Sequence, residues 1–330
     1  MRAQLAHGRG DGSDRKDTWM ASAECSASDG DLEYKVLVND ETWQLGGNAV
    51  APAGVSDVTD TPWFYTAQGH YVYLYDIYSP KLKNSRNVVT WLPPSYNENP
   101  YKGPYPFLIM QDGQNLFNAS TSFAGIAWDC QKTMNPLIIE GVVPEIVLVG
   151  VDNTAARIDE YTPSYDPSVG GGGKADTYLD FVEEIIFPLI AKNYRVPAHP
   201  APEHTGILGS SLGGLLSCYA AWTRPHVYGI AGCMSSSFWW DNFQFGSQIM
   251  TDDSAPSPPN VYYLDVGSLE PASQTDGFEQ VRSHFEALGW KTNSTLFSFL
   301  AQGGSHNEAS WGARFWVPMT EIGPFFVSSP

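Results

Sequence analysis

The stretch Ile207-Leu208-Gly209-Ser210-Ser211-Leu212-Gly213-Gly214-Leu215-Leu216 decides how this chain is read. A short apolar run enters it, small residues crowd its centre and a helix-compatible run leaves it, which predicts a strand, a sharp turn and a helix. At the turn lies Gly209-x-Ser211-x-Gly213, the spacing of a nucleophile elbow, in which small residues on either side of the serine let neighbouring chain approach a strained backbone. Ser211 would project from the tip of that turn. A serine hydroxyl is hard to ionise near neutral pH, so chemistry at Ser211 requires a histidine to take its proton and an acid to fix that histidine's tautomer. A helix starting near Leu212 would add free N–H groups and a positive dipole end where an oxyanion develops.

The rest of the composition narrows the classes of function. A chain of 330 residues can bury a large core and hold one big α/β domain. Its net charge of −18 repels phosphate backbones and anionic membrane surfaces, so neither nucleic acid nor a membrane is an expected partner. The four cysteines, Cys25, Cys130, Cys218 and Cys233, show no C-x-x-C pair and no metal-ligand spacing, so no metal site is expected. Cys218 and Cys233 lie in apolar surroundings and are expected as buried thiols. No run reaches the ~20 apolar residues of a membrane span. The N-terminus lacks the apolar core of a secretory signal, so a soluble protein is expected and a cytoplasmic location is favoured. The sequence carries no signal for an oligomeric state.

Three regions are expected along the chain. Residues 1–30, rich in Gly, Ser, Asp and Arg, read as a disordered leader. Residues 31–60 hold a strand over Leu32–Asp40, a turn at Asn39-Asp40, and then Glu41 to Gln44 and Gly46-Gly47-Asn48, followed by a linker from Ala51 to Thr61. This hairpin resembles the end of a starch-binding carbohydrate-binding module whose earlier strands are missing. Residues 61–330 alternate strands and helices. Strands are expected at 70–77, 87–92, 105–110, 145–151, 229–234, 261–266 and 296–300, in addition to the one entering the elbow. Helices are expected at 134–139, 177–193 with a kink at Pro188, 275–288 and 307–317. Such alternation implies a doubly wound, mainly parallel sheet flanked by helices, with its ligand cleft outside the carboxyl ends of the strands.

The partners of Ser211 should follow it in the order nucleophile, acid, histidine. Of the later histidines, His226 lies just past the elbow helix and His284 on an amphipathic helix, where it reads as exposed. His306 occupies a loop, Gly303-Gly304-Ser305-His306-Asn307-Glu308, between the last strand and a helix, which puts it at the cleft. The acid should sit just after the preceding strand, where Val261 to Glu270 offers Asp265 at the strand end and Glu270 in the loop beyond Gly267. Glu270 is favoured. Asp265 stays open as the alternative, its other role being to hold a neighbouring loop by hydrogen bonds.

Together with Gln111-Asp112-Gly113-Gln114-Asn115-Leu116-Phe117, Arg157, Glu160-Tyr161-Thr162, Ser237-Phe238-Trp239-Trp240-Asp241 and His306-Asn307-Glu308-Ala309-Ser310-Trp311, these residues resemble the putative-esterase family of α/β hydrolases. That family includes enterochelin esterase-like proteins, feruloyl esterases, esterase D and the mycolyltransferases. The resemblance runs from about His70 to Phe325, with the motifs in family order. It implies an α/β-hydrolase fold, a serine carboxylic-ester hydrolase acting through an acyl-enzyme, and a triad of Ser211, His306 and Glu270. It also implies an oxyanion hole from the backbone N–H groups of Leu212 and Gln114, and no cofactor or metal. Trp128, Asp129, Trp239, Trp240 and Trp311 are candidate pocket walls, and Arg157 with Glu160 resembles a family ion pair shaping the cleft. The glycine run 170–173 could hinge a loop. The expected partner is a small-molecule or sugar-linked ester. Acyl transfer to a sugar or other alcohol with the same triad is the alternative, and a non-catalytic carbohydrate-binding or scaffold protein is the alternative from another class.

Overall fold

Strands β3 (Phe107–Gln111) and β4 (Val147–Val151) are buried at every position, as continuous apolar runs must be when both faces of a sheet are covered. They are interior strands of an eight-stranded sheet in a computed structural model that describes residues 30–251, 255–256 and 260–327. The other strands are β1 (His70–Ser79), β2 (Asn84–Leu92), β5 (Thr205–Ser210), β6 (Ile230–Met234), β7 (Val261–Gly267) and β8 (Leu296–Ala301). Their spatial order is β8-β7-β6-β5-β3-β4-β2-β1. All neighbouring pairs from β8 to β4 are parallel, and β2 and β1 complete the sheet with antiparallel pairings.

Alternate residues of each strand go to opposite layers. On one face Val88, Ile109, Ile207 and Tyr262 meet helices α2 (Ala175–Phe181), α3 (Phe187–Asn193), α4 (Leu212–Thr223) and α5 (Ala272–Ala287). On the other Val89, Leu108, Leu208 and Tyr263 meet α1 (Cys130–Ile139), α6 (Glu308–Arg314) and α7 (Trp316–Ile322). Helix α4, which leaves the elbow, is buried from Leu212 to Trp222, so its apolar residues run all the way round instead of along one stripe.

Several expectations are revised. The helix over 177–193 is two helices joined by a π-type turn, Val182–Ile186, in which the Phe187 N–H reaches back to the Val182 carbonyl. Pro188 follows at the start of α3; lacking an N–H, it leaves a carbonyl of the preceding turn unpaired, which the wider turn accommodates. The helix over 307–317 is likewise two, α6 and α7, and the helix at 134–139 begins earlier, at Cys130. Cys218 on α4 and Cys233 on β6 are not thiols but a disulfide with Cα atoms 5.8 Å apart, since α4 packs its buried face on β6. His284 is half-buried, with its imidazole Nε2 2.9 Å from the Met250 carbonyl.

Leu37–Val38 pairs with Thr42–Trp43 and Leu32–Tyr34 with Ala49–Ala51, both antiparallel. This segment is tied to the main body by the Leu45 N–H on the Trp63 carbonyl and by Gly47 against Gly141, just past the carboxyl end of α1 and ahead of β4. The leader expected over 1–30 lies outside the described residues but for Gly30. Among the described residues no helix is long and apolar enough to cross a membrane.

Candidate active site

The elbow owes its shape to crowding. A Cβ at Gly209 would come within 2.6 Å of the Gly213 carbonyl group, so the strand leaving the sheet and the helix entering it can cross only without side chains there. Between them Ser211 takes φ 58° and ψ −124°, a backbone conformation that L residues rarely adopt. Hydrogen bonds over-determine it. The Ser211 N–H donates to the Met234 carbonyl at 3.0 Å, and the Ser211 carbonyl accepts from the N–H groups of Gly214, Leu215 and Ser237.

That backbone aims the Ser211 side chain across the carboxyl ends of β5 to β8. Ser211 Oγ lies 2.9 Å from His306 Nε2, and His306 Nδ1 lies 2.8 Å from Glu270 Oε2. A carboxylate can only accept, so Nδ1 carries the imidazole proton and Nε2 is left to accept the serine O–H. Glu270 and His306 meet because two loops close on each other at Gly267 and Gly304, where any Cβ on Gly267 would run into the Gly304 carbonyl. Burial raises the Glu270 carboxyl, but hydrogen bonds from His306, Ser235 Oγ and the Gly267 N–H outweigh it and hold the group below the usual carboxylate range. The indole of Trp311 stands edge-on to the His306 ring, centroids 4.9 Å apart.

Asp265 does not approach His306. It is buried and takes a bidentate ion pair from Arg314, at 2.9 Å to each oxygen, together with the Ser235 N–H and the Tyr263 hydroxyl. The remaining histidine candidates lie elsewhere, His226 exposed beyond α4 and His284 on α5.

Leu212 is the first residue of α4, so its N–H has no acceptor within the helix. Gln114 lies in the single turn Gly113–Asn115 that follows β3, where the Asn115 and Leu116 N–H groups bond back to Asp112 and Gly113. Asp112 enters this turn in the left-handed region at φ 56°. It is locked there by Arg157 Nε and Nη2, each at 2.8 Å, and by Asn153 Nδ2 at 2.6 Å. The expected Arg157–Glu160 pair is therefore not formed. Glu160 instead bonds Arg86 Nη2 and Asn84 Nδ2 in the buried layer beneath, because the one-turn helix Arg157–Glu160 turns its ends to different sides.

The candidate pocket walls divide. Trp128 is buried against Trp311 and Phe315, and Trp240 is buried with its indole N–H on the Ser164 carbonyl, which makes both packing anchors. Asp129 pairs with Lys132. Trp239 is 40% exposed, its ring tilted against that of Trp240 with centroids 6.0 Å apart. The glycine run is a paired structure in which Gly171 and Gly172 form a short ladder with Tyr165 and Asp166. Ser235, Gln274 and Arg314 carry no sequence signal of a role, and Ser237 is marked only as the first residue of the run to Asp241. Ser237 Oγ lies 3.3 Å from Ser211 Oγ, and Gln274 Nε2, which donates to the Ser235 carbonyl, lies 3.1 Å from His306 Nδ1.

Comparison with known proteins places the chain in a family. A sequence model of the family described as "Putative esterase" matches residues 79–320. An uncharacterized protein of Bacillus subtilis, YbbA, is 32% identical over 191 residues, 56% of this chain and 69% of that protein. The siderophore triacetylfusarinine C esterase of Aspergillus fumigatus is 28% identical over 141 residues, 43% of this chain, and the match spans only 47% of that esterase. Among solved structures, an IroE-like serine hydrolase from Shewanella oneidensis superposes with a TM-score of 0.58 at 20% identity, covering 76% of this chain and 79% of that one. The enterobactin esterase FES from Shigella flexneri gives 0.58 at 17% identity, over 77% and 58%. At such identities the structural likenesses speak for the fold.

Proposed function

The chain belongs to the putative-esterase family, carboxylic-ester hydrolases of the α/β-hydrolase fold, and from that premise we propose that it cleaves esters through an acyl-enzyme on Ser211, with His306 as base and Glu270 as the acid. The observation that carries the reading is the unbroken line of hydrogen bonds from Ser211 Oγ through His306 to Glu270 Oε2.

In the first half-reaction His306 Nε2 takes the Ser211 proton as Oγ bonds to the ester carbonyl carbon, and the carbonyl oxygen becomes an oxyanion. The N–H groups of Leu212 and Gln114 receive that charge, and the amino-terminal end of α4 adds to it. Collapse breaks the bond to the alkoxy oxygen, which leaves as the alcohol with the proton from His306. Water then repeats the sequence on the acyl-enzyme, losing its proton to His306 and releasing the acid and free Ser211. Glu270 stays ionised throughout and stabilises the imidazolium formed in each half. The substrate is a small-molecule ester. Since one relative is named for a siderophore ester, a siderophore of that kind is the first natural substrate to try.

The test is Ser211→Ala on a panel of chromogenic esters with short, long and aryl acyl groups. The side chain is small and half-buried, so the variant should fold with an unchanged Tm while kcat falls on the order of 10⁴-fold or more on every ester cleaved. Near wild-type turnover by a folded Ser211→Ala protein would refute the reading.

A further inference from the structure

Glu270 is held by more than His306. Its Oε1 accepts a hydrogen bond from Ser235 Oγ at 2.5 Å, and Ser235 Oγ itself receives Arg314 Nη2 at 2.5 Å and Trp311 Nε1 at 3.0 Å. We propose that Arg314, Asp265 and Ser235 form a buried brace that keeps Glu270 ionised and aimed at His306, and so act as positioning residues for the acid–base pair. The proposal rests on the reading of Ser211, His306 and Glu270 given above.

Hydrogen-bond polarity leaves one arrangement. Arginine and indole N–H groups can only donate, so both contacts occupy the lone pairs of the Ser235 hydroxyl, and its own proton must go to the remaining neighbour, Glu270. Glu270 Oε1 also accepts the Gly267 N–H at 2.8 Å, and Oε2 accepts from His306. Every contact made to this carboxyl is a donor. A proton on either oxygen would set donor against donor, so the site is built for the carboxylate.

Charge works in the same direction. Arg314 forks onto Asp265 through Nε and Nη2, and its Nη2 is 3.7 Å from Glu270 Oε1. These three groups are buried and together carry a net charge of −1, which a proton on His306 cancels during turnover. The other titratable groups facing them are Tyr263 on β7, whose hydroxyl donates to Asp265, and Glu321 on α7, which acts on Tyr263 from farther out. Without Arg314 two carboxylates would share one buried serine with no counter-charge, and like charge and burial would both drive Glu270 toward its protonated form. Ser235 can fill its place because it takes the left-handed region at φ 41° directly after β6, with its N–H on Asp265 Oδ1.

The experiment measures kcat/KM against pH, with the fraction folded taken from thermal unfolding, for Arg314→Met, Asp265→Asn/Arg314→Met and Ser235→Ala. Arg314→Met should move the acid limb of the profile up by about one pH unit or more and lower kcat by roughly tenfold or more. Adding Asp265→Asn restores the net charge of −1 and should return the limb toward its original position without restoring lost Tm, which a purely structural role would not do. Ser235→Ala, the mildest change, should lower kcat while the protein remains folded. A folded Arg314→Met or Ser235→Ala enzyme with wild-type kcat and an unmoved limb overturns the brace. If Arg314→Met does not fold, Ser235→Ala decides alone. Ser211→Ala assayed on the same ester separates the two levels: activity surviving that change refutes the triad, whereas its loss beside unchanged brace variants refutes only the brace.

Discussion

Asp265 and Glu270 show how little a residue's type says about its work. Both are buried carboxylates at the end of β7, and both are ringed by donors, yet only Glu270 reaches the imidazole, because the turn after Gly267 carries it across to the loop of His306. Asp152, just past β4, is the opposite case. Burial pushes its carboxyl up to about 6, Asn87 and Arg86 pull against that, and the Asp112 charge adds to the rise. Its Oδ1 is buried with no hydrogen-bond partner. A raised carboxyl takes its proton in the folded state before it does in the unfolded chain. Stability is therefore lost as pH climbs from the unfolded Asp value near 4 through about 6, and the full penalty remains above that. Asp152→Asn should raise the unfolding free energy at pH 8 by about 1–3 kcal/mol and change it much less at pH 3.5. A gain at pH 3.5 equal to that at pH 8 would contradict this account.

At the scale of elements, the elbow is held from behind as well as by its own turn. The disulfide between Cys218 and Cys233 ties α4 to β6, the helix and strand that together fix Ser211, across a sequence separation of 15. Constraining a loop of that length is worth about 3 kcal/mol in the chain-entropy account. The double variant Cys218→Ser/Cys233→Ser should accordingly lower Tm, while the kcat of the molecules still folded stays close to wild type, since neither sulfur touches the site. An unchanged Tm would show that the link adds nothing to packing already present. The pairing was hidden in the sequence because buried thiols and a buried disulfide sit in equally apolar surroundings, and only the docking of α4 on β6 brings the two cysteines together. The strands and the elbow were readable because their signals are local, a continuous apolar run or a glycine on each side of a serine. Arg314 was not, since an arginine within a predicted helix reads as solvent-facing until the fold brings its guanidinium onto Asp265 of β7. Arg157 and Glu160, expected as a pair from the family resemblance, misled for a related reason: the turn they share faces two different layers.

Across the whole molecule the net charge is −18, and among the described residues the cations nearest the cleft are each paired with an acid. Lys132, Arg157, Lys174 and Arg314, carried on segments that follow β3, β4 and β8, each bond an acid, respectively Asp129, Asp112, Asp159 and Asp265. A substrate bearing carboxylates would approach against this field. For a matched pair of esters, one neutral and one with an added carboxylate in the acyl part, kcat/KM should favour the neutral one at low salt. Raising the ionic strength should narrow the gap as screening shortens the reach of the field. Equal rates at low salt would show that the local geometry, and not the overall charge, sets the preference. The hairpin segment of residues 32–51 docks just past the carboxyl end of α1, so its place in the fold bears on stability more than on this selection.

Stopping turnover of a slowly deacylating ester with acid and locating the acyl group by peptide mass spectrometry tests the acyl-enzyme on Ser211. One acyl group per chain is expected, on Ser211, absent from Ser211→Ala and diminished when His306 is replaced. An acyl group on Ser210 or Ser237 would move the nucleophile, and rapid hydrolysis with no acyl-enzyme at any time point would contradict the mechanism itself.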